Sequence, residues 1–192
     1  GPSTMGPVPG RDVKAHTRLS FRQAITGATV SLRKSDGQTV RTKIPAGVKD
    51  GATIRIRGKG EAGPQGGPAG DLLVTVSVDA HPVFSRRGSN LLVTVPVTFA
   101  EATLGATIEV PTLSGESVHV KVPAGTPSGR MLRVKGRGVK TAKAVGDLLV
   151  TVEVVVPAHL SSAARAAVEK LAAETGDENP RSELLAKARA AK

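Results

Sequence analysis

The residues that first invite a chemical reading are Gly58-Lys59-Gly60-Glu61-Ala62-Gly63, a G-x-G-x-x-G run. A dinucleotide site of this form needs a helix N-terminus behind the glycines, aimed at the pyrophosphate. Here Pro64, Gly66, Gly67, Pro68 and Gly70 follow, so no helix can start, and the glycines read as a turn between strands. His16, His81, His119 and His159 are dispersed, with no close His or Cys neighbour to complete a metal site. Ser85 and Ser89 lie near His81, but nothing around them forms a nucleophile elbow or orients a base. The chain has no Cys, which removes disulfides and thiolate ligands. No catalytic residue, metal ligand or cofactor is assigned, and the chain reads as a non-enzyme.

The positive charge suggests an acidic partner or simple solubility and does not choose between them. The net charge is +11, and Arg55, Arg57, Lys59, Arg133, Lys135 and Arg137 could line a face for phosphates. Readers of single strands and RNA stack bases on aromatic rings, yet the chain has no Trp or Tyr and only Phe21, Phe84 and Phe99. A solvated basic strand edge explains the same charges. A basic β protein that binds nucleic acid non-specifically therefore stands as the alternative. The leading reading is a module whose sheet edges accept an extended peptide as an added strand.

The elements behind this reading are written twice. Ile44 to Gly60, IPAGVKDGATIRIRGKG, returns as Val122 to Gly138, VPAGTPSGRMLRVKGRG, at an offset of 78. The offset falls to 76 only after the loop Val139 to Val145, where Gly146 to Val152 repeats Gly70 to Val76. Loops absorb such length changes cheaply. In the first copy, Asp12 to Phe21 alternates as a half-buried strand and Arg22 to Thr26 is a connecting turn. Thr29 to Leu32 and Thr39 to Ile44 pair across the Asp36-Gly37 turn, and Thr53 to Arg57 and Asp71 to Asp79 are further strands. The expected fold is mainly β, two tandem sandwich-like domains with short helices and a helical tail. Residues 1–11 read as a tag remnant and flexible linker, 12–84 as the first β-domain, 85–159 as the second and 160–192 as the tail. No apolar run is long enough for a membrane helix and no signal peptide is visible, so a cytoplasmic location is expected.

In the tail, Ser161 and Ser162 mark a helix start, Val168, Leu171 and Ala172 keep helical spacing, and Gly176 closes the segment. Asn179-Pro180 opens a second helix with Leu184, Leu185 and Ala188 on one face. Such helices either fold back on their own domain or pair two subunits.

Several motifs in series resemble a known family. Phe21-Arg22-Gln23-Ala24 with Gly27, IPAGVKDG, IRIRGKG, GDLLVTV and HPVFSRRG are followed by Phe99-Ala100-Glu101-Ala102 with Leu104-Gly105, VPTLSG and VPAGTPSG. Together they resemble the C-terminal substrate-binding region of DnaJ-type co-chaperones, over roughly Asp12 to Leu160. The family's J-domain loop, His-Pro-Asp, has no counterpart, since His81-Pro82-Val83 lies between β units. Its cysteine-rich zinc module is also missing, and Ser35-Asp36-Gly37 closes the hairpin directly, as in a zinc-free subclass or after deletion of the module.

The resemblance implies that unfolded polypeptides are captured in a shallow apolar groove beside the second strand and delivered to a DnaK-type heat-shock chaperone. Carried over by position, the client-binding candidates are Val13, Ala15, Val30, Leu32 and Val74, with Phe84 closing the pocket. Each also reads as plain core, because alternation does not say which face is covered. Leu32→Asp is expected to abolish suppression of client aggregation without unfolding the chain. Arg33, Lys34, Arg41 and Lys43 are candidates for the acidic tail of the heat-shock partner. The family's tail helices pair two subunits, which assigns Leu160, Val168, Leu171, Leu184 and Leu185 to a homodimer contact.

Overall fold

The computed structural model describes residues 6–176 and 179–192; the first five residues of the expected linker lie outside this range. Residues up to Val154 form one compact unit and Val155–Lys192 a second. The chain is mainly β, with 37% of residues in strands and 21% helical.

The first sequence copy forms two small sheets. One runs β1 (Val13–Leu19), β5 (Leu72–Val78), β4 (Thr53–Ile56), and the other pairs β2 (Ala28–Arg33) with β3 (Thr39–Ile44). β1 and β5 are parallel, in register from Val13–Leu72 to Leu19–Val78. A parallel pair needs a long crossover, and β2, β3 and β4 all lie within it. The alternation read in β1 is realised, with Val13 and Leu19 buried and Lys14, His16 and Arg18 exposed. Val13, Leu19, Leu32, Ile44, Leu72 and Val74 anchor the core between the sheets.

The second copy repeats the plan with β7 (Asn90–Thr98), β8 (Ala106–Pro111), β9 (Ser117–Val122), β10 (Met131–Val134) and β11 (Leu148–Val155). One strand has no counterpart in the first copy. β6 (Phe84–Arg87) pairs antiparallel with β7 through the two-residue turn Gly88-Ser89, making the sheet order β10-β11-β7-β6. Phe84, expected to end the first domain, therefore opens a strand of the second sheet and packs in its core.

The expected turn Arg22 to Thr26 is a helix, α1 (Phe21–Thr26). The Ser20 hydroxyl accepts the Gln23 N–H while the Gln23 side chain accepts the Ser20 N–H, a capping box that satisfies two free backbone donors. α2 (Phe99–Leu104) repeats it with Thr98 and Glu101.

The copies interlock around α1. The ring of His81 lies between Phe21 and Phe84, with centroids 5.7 and 5.2 Å away. The Arg86 guanidinium donates to the carbonyl oxygens of Gly47 at 2.8 Å, Val48 at 3.0 Å and Gly88 at 2.7 Å. At Gly47, φ is +85°, and a Cβ would stand 2.8 Å from the Thr141 methyl of the other copy, so glycine is required twice over.

The end of the expected linker is held. Val8 and Gly10 donate to the carbonyls of Pro64 and Pro68, and Glu61 donates to that of Arg11. A side chain at Gly10 or Gly70 would collide with backbone, of Glu61 and Arg11 respectively, at about 2 Å. The glycine-rich loop thus grips the segment before β1.

The tail unit holds α3 (Ser162–Thr175), capped by Ser161, and α4 (Ser182–Ala190). Pro180, expected at the first position of the second helix, sits two residues before it. Neither helix buries a side chain.

Candidate peptide-binding groove

β1 and β2 both present unpaired backbone. In β1, the Val13 N–H bonds to Asp71 and the Leu19 carbonyl to the Asp79 N–H, so the alternate residues Lys14, His16 and Arg18 turn their backbone groups away from β5. Among the described residues, only the Lys14 carbonyl of these finds a backbone partner, the Ser35 N–H. In the β2–β3 hairpin, the Lys34 N–H bonds to the Gln38 carbonyl and sets the phase. Antiparallel residues alternate between bonded and non-bonded pairs, so Ala28, Val30 and Leu32 bond to β3 and Thr29, Ser31 and Arg33 face outward along β2. In the second copy the counterpart of the β1 edge is partly closed, because β6 pairs with Asn90 to Val93 of β7. The copies differ where an added strand would lie.

The apolar candidates divide by depth. Val13 and Val74 are buried core, and Leu32 is only 2% exposed. Ala15 and Val30 pack against that core but stay half-buried, and can meet an incoming side chain. Phe84 belongs to the core of the second sheet, its ring tilted against that of His81, and is not part of this groove. The expectation for Leu32→Asp is corrected accordingly: a carboxylate there would enter closed core. What the sequence reading missed was the open edge of β1. Its signal was the turn Gly88-Ser89, which writes a hairpin in front of the second copy alone.

The basic candidates divide likewise. Arg33, Arg41 and Lys43 are exposed on one face, since Arg33 pairs with Thr39, Ser31 with Arg41 and Thr29 with Lys43. The second copy places Pro111, Glu109, His119 and Lys121 in the corresponding positions. Lys34 is removed from the set, because its side chain turns inward. Its ammonium lies 3.3 Å from Asp36 and 3.5 Å from the Lys59 carbonyl. The Asp36 carboxyl is held below its usual range by the Gln38 N–H and by Lys34.

Most of the arginines proposed for phosphate are already engaged. Arg55 bridges Asp12 and Asp71, Arg133 pairs with Asp147, and Arg137 lies 3.6 Å from Glu116. Asp71 and Asp147 are pushed below the usual carboxylate range, chiefly by the N–H groups of Gly58 and Gly136 and then by these arginines. In the G-x-G-x-x-G run, Gly58 therefore holds a strand-end carboxylate and Gly60 donates to the Gly70 carbonyl. His16 bonds Ser77, and among the described residues no group of three His, Cys, Asp or Glu could hold a metal ion.

Comparison with known proteins decides the family. The family described as the DnaJ C terminal domain matches residues 13–157. The chain belongs to this family. It is 56% identical over 160 residues to Chaperone protein DnaJ 1 of Streptomyces coelicolor, covering 83% of this chain and 40% of that relative. With Chaperone protein DnaJ 2 of Cutibacterium acnes it shares 54% over 150 residues, 78% of this chain and 40% of the relative. The corresponding figures for Chaperone protein DnaJ 1 of Mycobacterium leprae are 54% over 137 residues, 71% and 35%. This DnaJ C-terminal domain thus spans about two fifths of the length of such relatives. No helix among its described residues is long and apolar enough to cross a membrane.

Proposed function

We propose that this domain is the substrate-binding part of a non-enzymatic cytoplasmic co-chaperone, which captures unfolded polypeptides and passes them to a DnaK-type heat-shock chaperone. The observation that carries this reading is the pair of open backbone edges on β1 and β2, beside half-buried Ala15 and Val30, whereas in the second copy β6 covers the start of β7, the counterpart of the β1 edge. An extended client adds as a strand and places one apolar side chain against Ala15 and Val30. Backbone bonds give affinity without sequence demand, which suits unfolded clients. Val30→Asp puts a charge into this depression while solvent still reaches it. Suppression of aggregation of a denatured client is expected to fall about tenfold, a loss of roughly 1.4 kcal/mol in client affinity, with the melting temperature nearly unchanged. A folded Val30→Asp variant that suppresses aggregation like the parent overturns the groove.

The division of labour follows the repeat. The first copy, up to β5, binds clients, the second copy from β6 onward extends the scaffold, and residues 160–192 pair two chains. Leu160, Val168, Leu171, Leu184 and Leu185 are all exposed, between 40% and 65%. A helix of this length that buries nothing is marginal in water, and a second copy supplies the missing surface. Truncation before Leu160 is expected to halve the mass found by sedimentation; an unchanged mass excludes the tail as the contact. The acidic tail of the heat-shock partner is received by Arg33, Arg41 and Lys43.

A further inference from the structure

The junction between the two copies carries more free positive charge than the fold requires. Thr26 lines two cavities there. One, of about 550 Å3, is lined by Lys43, Pro45, Ala46, Thr141 and Lys143. The other, of about 310 Å3, is lined by Leu113, Ser114, Arg137 and Lys140. Arg137 is neutralised by Glu116, but among the described residues Lys43, Lys140 and Lys143 have no carboxylate within ion-pair distance. Lys140 and Lys143 sit on a short hairpin peculiar to the second copy, closed by the Lys140–Val145 bridge, with the Thr141 hydroxyl accepting the N–H groups of Lys143 and Ala144. The Thr141 methyl abuts Gly47, which fixes these lysines against the first copy. The first copy has Glu61-Ala62-Gly63-Pro64 at the corresponding place, with no lysine.

The seam begins at the free edge of β3. The hairpin phase that turns Ser31 outward on β2 also turns the backbone of Thr39, Arg41 and Lys43 outward on β3, and among the described residues no strand pairs with that side. An unpaired edge flanked by cations, leading into a cationic seam, matches an extended chain bearing carboxylates. Nucleic acid could use the charges but not the edge, and the seam offers no aromatic ring on which a base could stack.

We propose that the seam completes the acidic-segment site: an extended acidic peptide pairs its backbone with β3 at Arg41 and Lys43 and sets its next carboxylates against Lys143 and Lys140. This rests on the reading of Arg33, Arg41 and Lys43 as an acidic-tail surface, and extends it across the junction to the other copy. The site is then made jointly by both copies, and its occupancy tightens the joint.

The test is fluorescence anisotropy of the full chain with a labelled peptide alternating glutamate and valine, run beside an oligonucleotide of equal charge. Two charge reversals at Lys140 and Lys143 are expected to weaken the peptide about tenfold, and Arg41→Glu to weaken it comparably. Both sites are exposed, so thermal melting should stay at the parental value. Methylation of alternate peptide nitrogens is expected to abolish binding by removing the edge bonds. If Arg41→Glu weakens the peptide and K140E with K143E does not, the seam is wrong and the β2–β3 surface stands. If neither changes binding, both fall. An oligonucleotide that binds more tightly than the peptide and loses the same factor, or a methylated peptide that binds as well as its parent, overturns the peptide assignment.

Discussion

Replacing Leu32 by Asp is expected to abolish the cooperative fold of the first copy. Leu32 lies in β2 at 2% exposure, in one core with Val13, Ile44, Leu72 and Val74. Truncation to Ala there costs about 2–5 kcal/mol from lost burial and the cavity left behind. A carboxylate adds the desolvation of an unpaired charge, several kcal/mol more. Against a typical total stability of about 5–15 kcal/mol, the sum removes most or all of the margin. Circular dichroism should show the native melting transition lost in Leu32→Asp, and shifted down but intact in Leu32→Ala. A Leu32→Asp chain that melts like the parent would falsify the placement of Leu32 in closed core. Val30→Asp, two residues away on the same face, should fold, so the pair separates loss of binding from loss of structure.

That contrast marks where the sequence stops being informative. Strand alternation places Val30 and Leu32 on one side of β2 because successive side chains point to opposite faces. It does not say how far the neighbouring sheet extends along that side. The cover comes from the facing β1-β5-β4 sheet, whose β1 lies nearest β2, and it buries one residue while leaving the other half-open. Lys34 failed for a related reason. Its position at the end of β2 reads as surface, but Asp36 and the Lys59 carbonyl capture its ammonium. The repeat, by contrast, was fully legible and carried the architecture, since matched glycines and strands in both copies adopt matched structure. Two local signals were present but unread: Ser20-x-x-Gln23, which caps α1, and Gly88-Ser89, which turns β6 into β7. The second of these is the difference between the copies that leaves one edge open.

The joint between the copies should depend on Arg86 more than on any other side chain. Its three donations reach Gly47 and Val48 of the first copy and Gly88 of its own, and no carboxylate neutralises it among the described residues. Burial lowers its pKa below the usual guanidinium value, so the charge is kept at some cost that the three carbonyl oxygens offset. Arg86→Ala strands the Gly47 and Val48 carbonyls, and hydrogen bonds to a charged group are worth about 1.5–3 kcal/mol each. With the neighbouring cavity beside Phe21 and Val48 enlarged, a loss of about 3–5 kcal/mol is expected. The loss falls on the contact between copies, to which Phe21 and Ile25 of α1 also contribute, while the strands β1 to β5 and β6 to β11 keep their own cores. Urea unfolding should therefore change from one transition to two, with the copies melting separately. Arg86→Lys should recover under half of the loss, because an ammonium on a flexible stem cannot reproduce the planar fork. A single transition with an unshifted midpoint in Arg86→Ala would mean that the copies are held by the Phe21–His81–Phe84 ring cluster and the Gly47–Thr141 contact instead. Two transitions would show a joint held by backbone carbonyls, the one class of partner that neither charge nor hydrophobic pattern announces in a sequence.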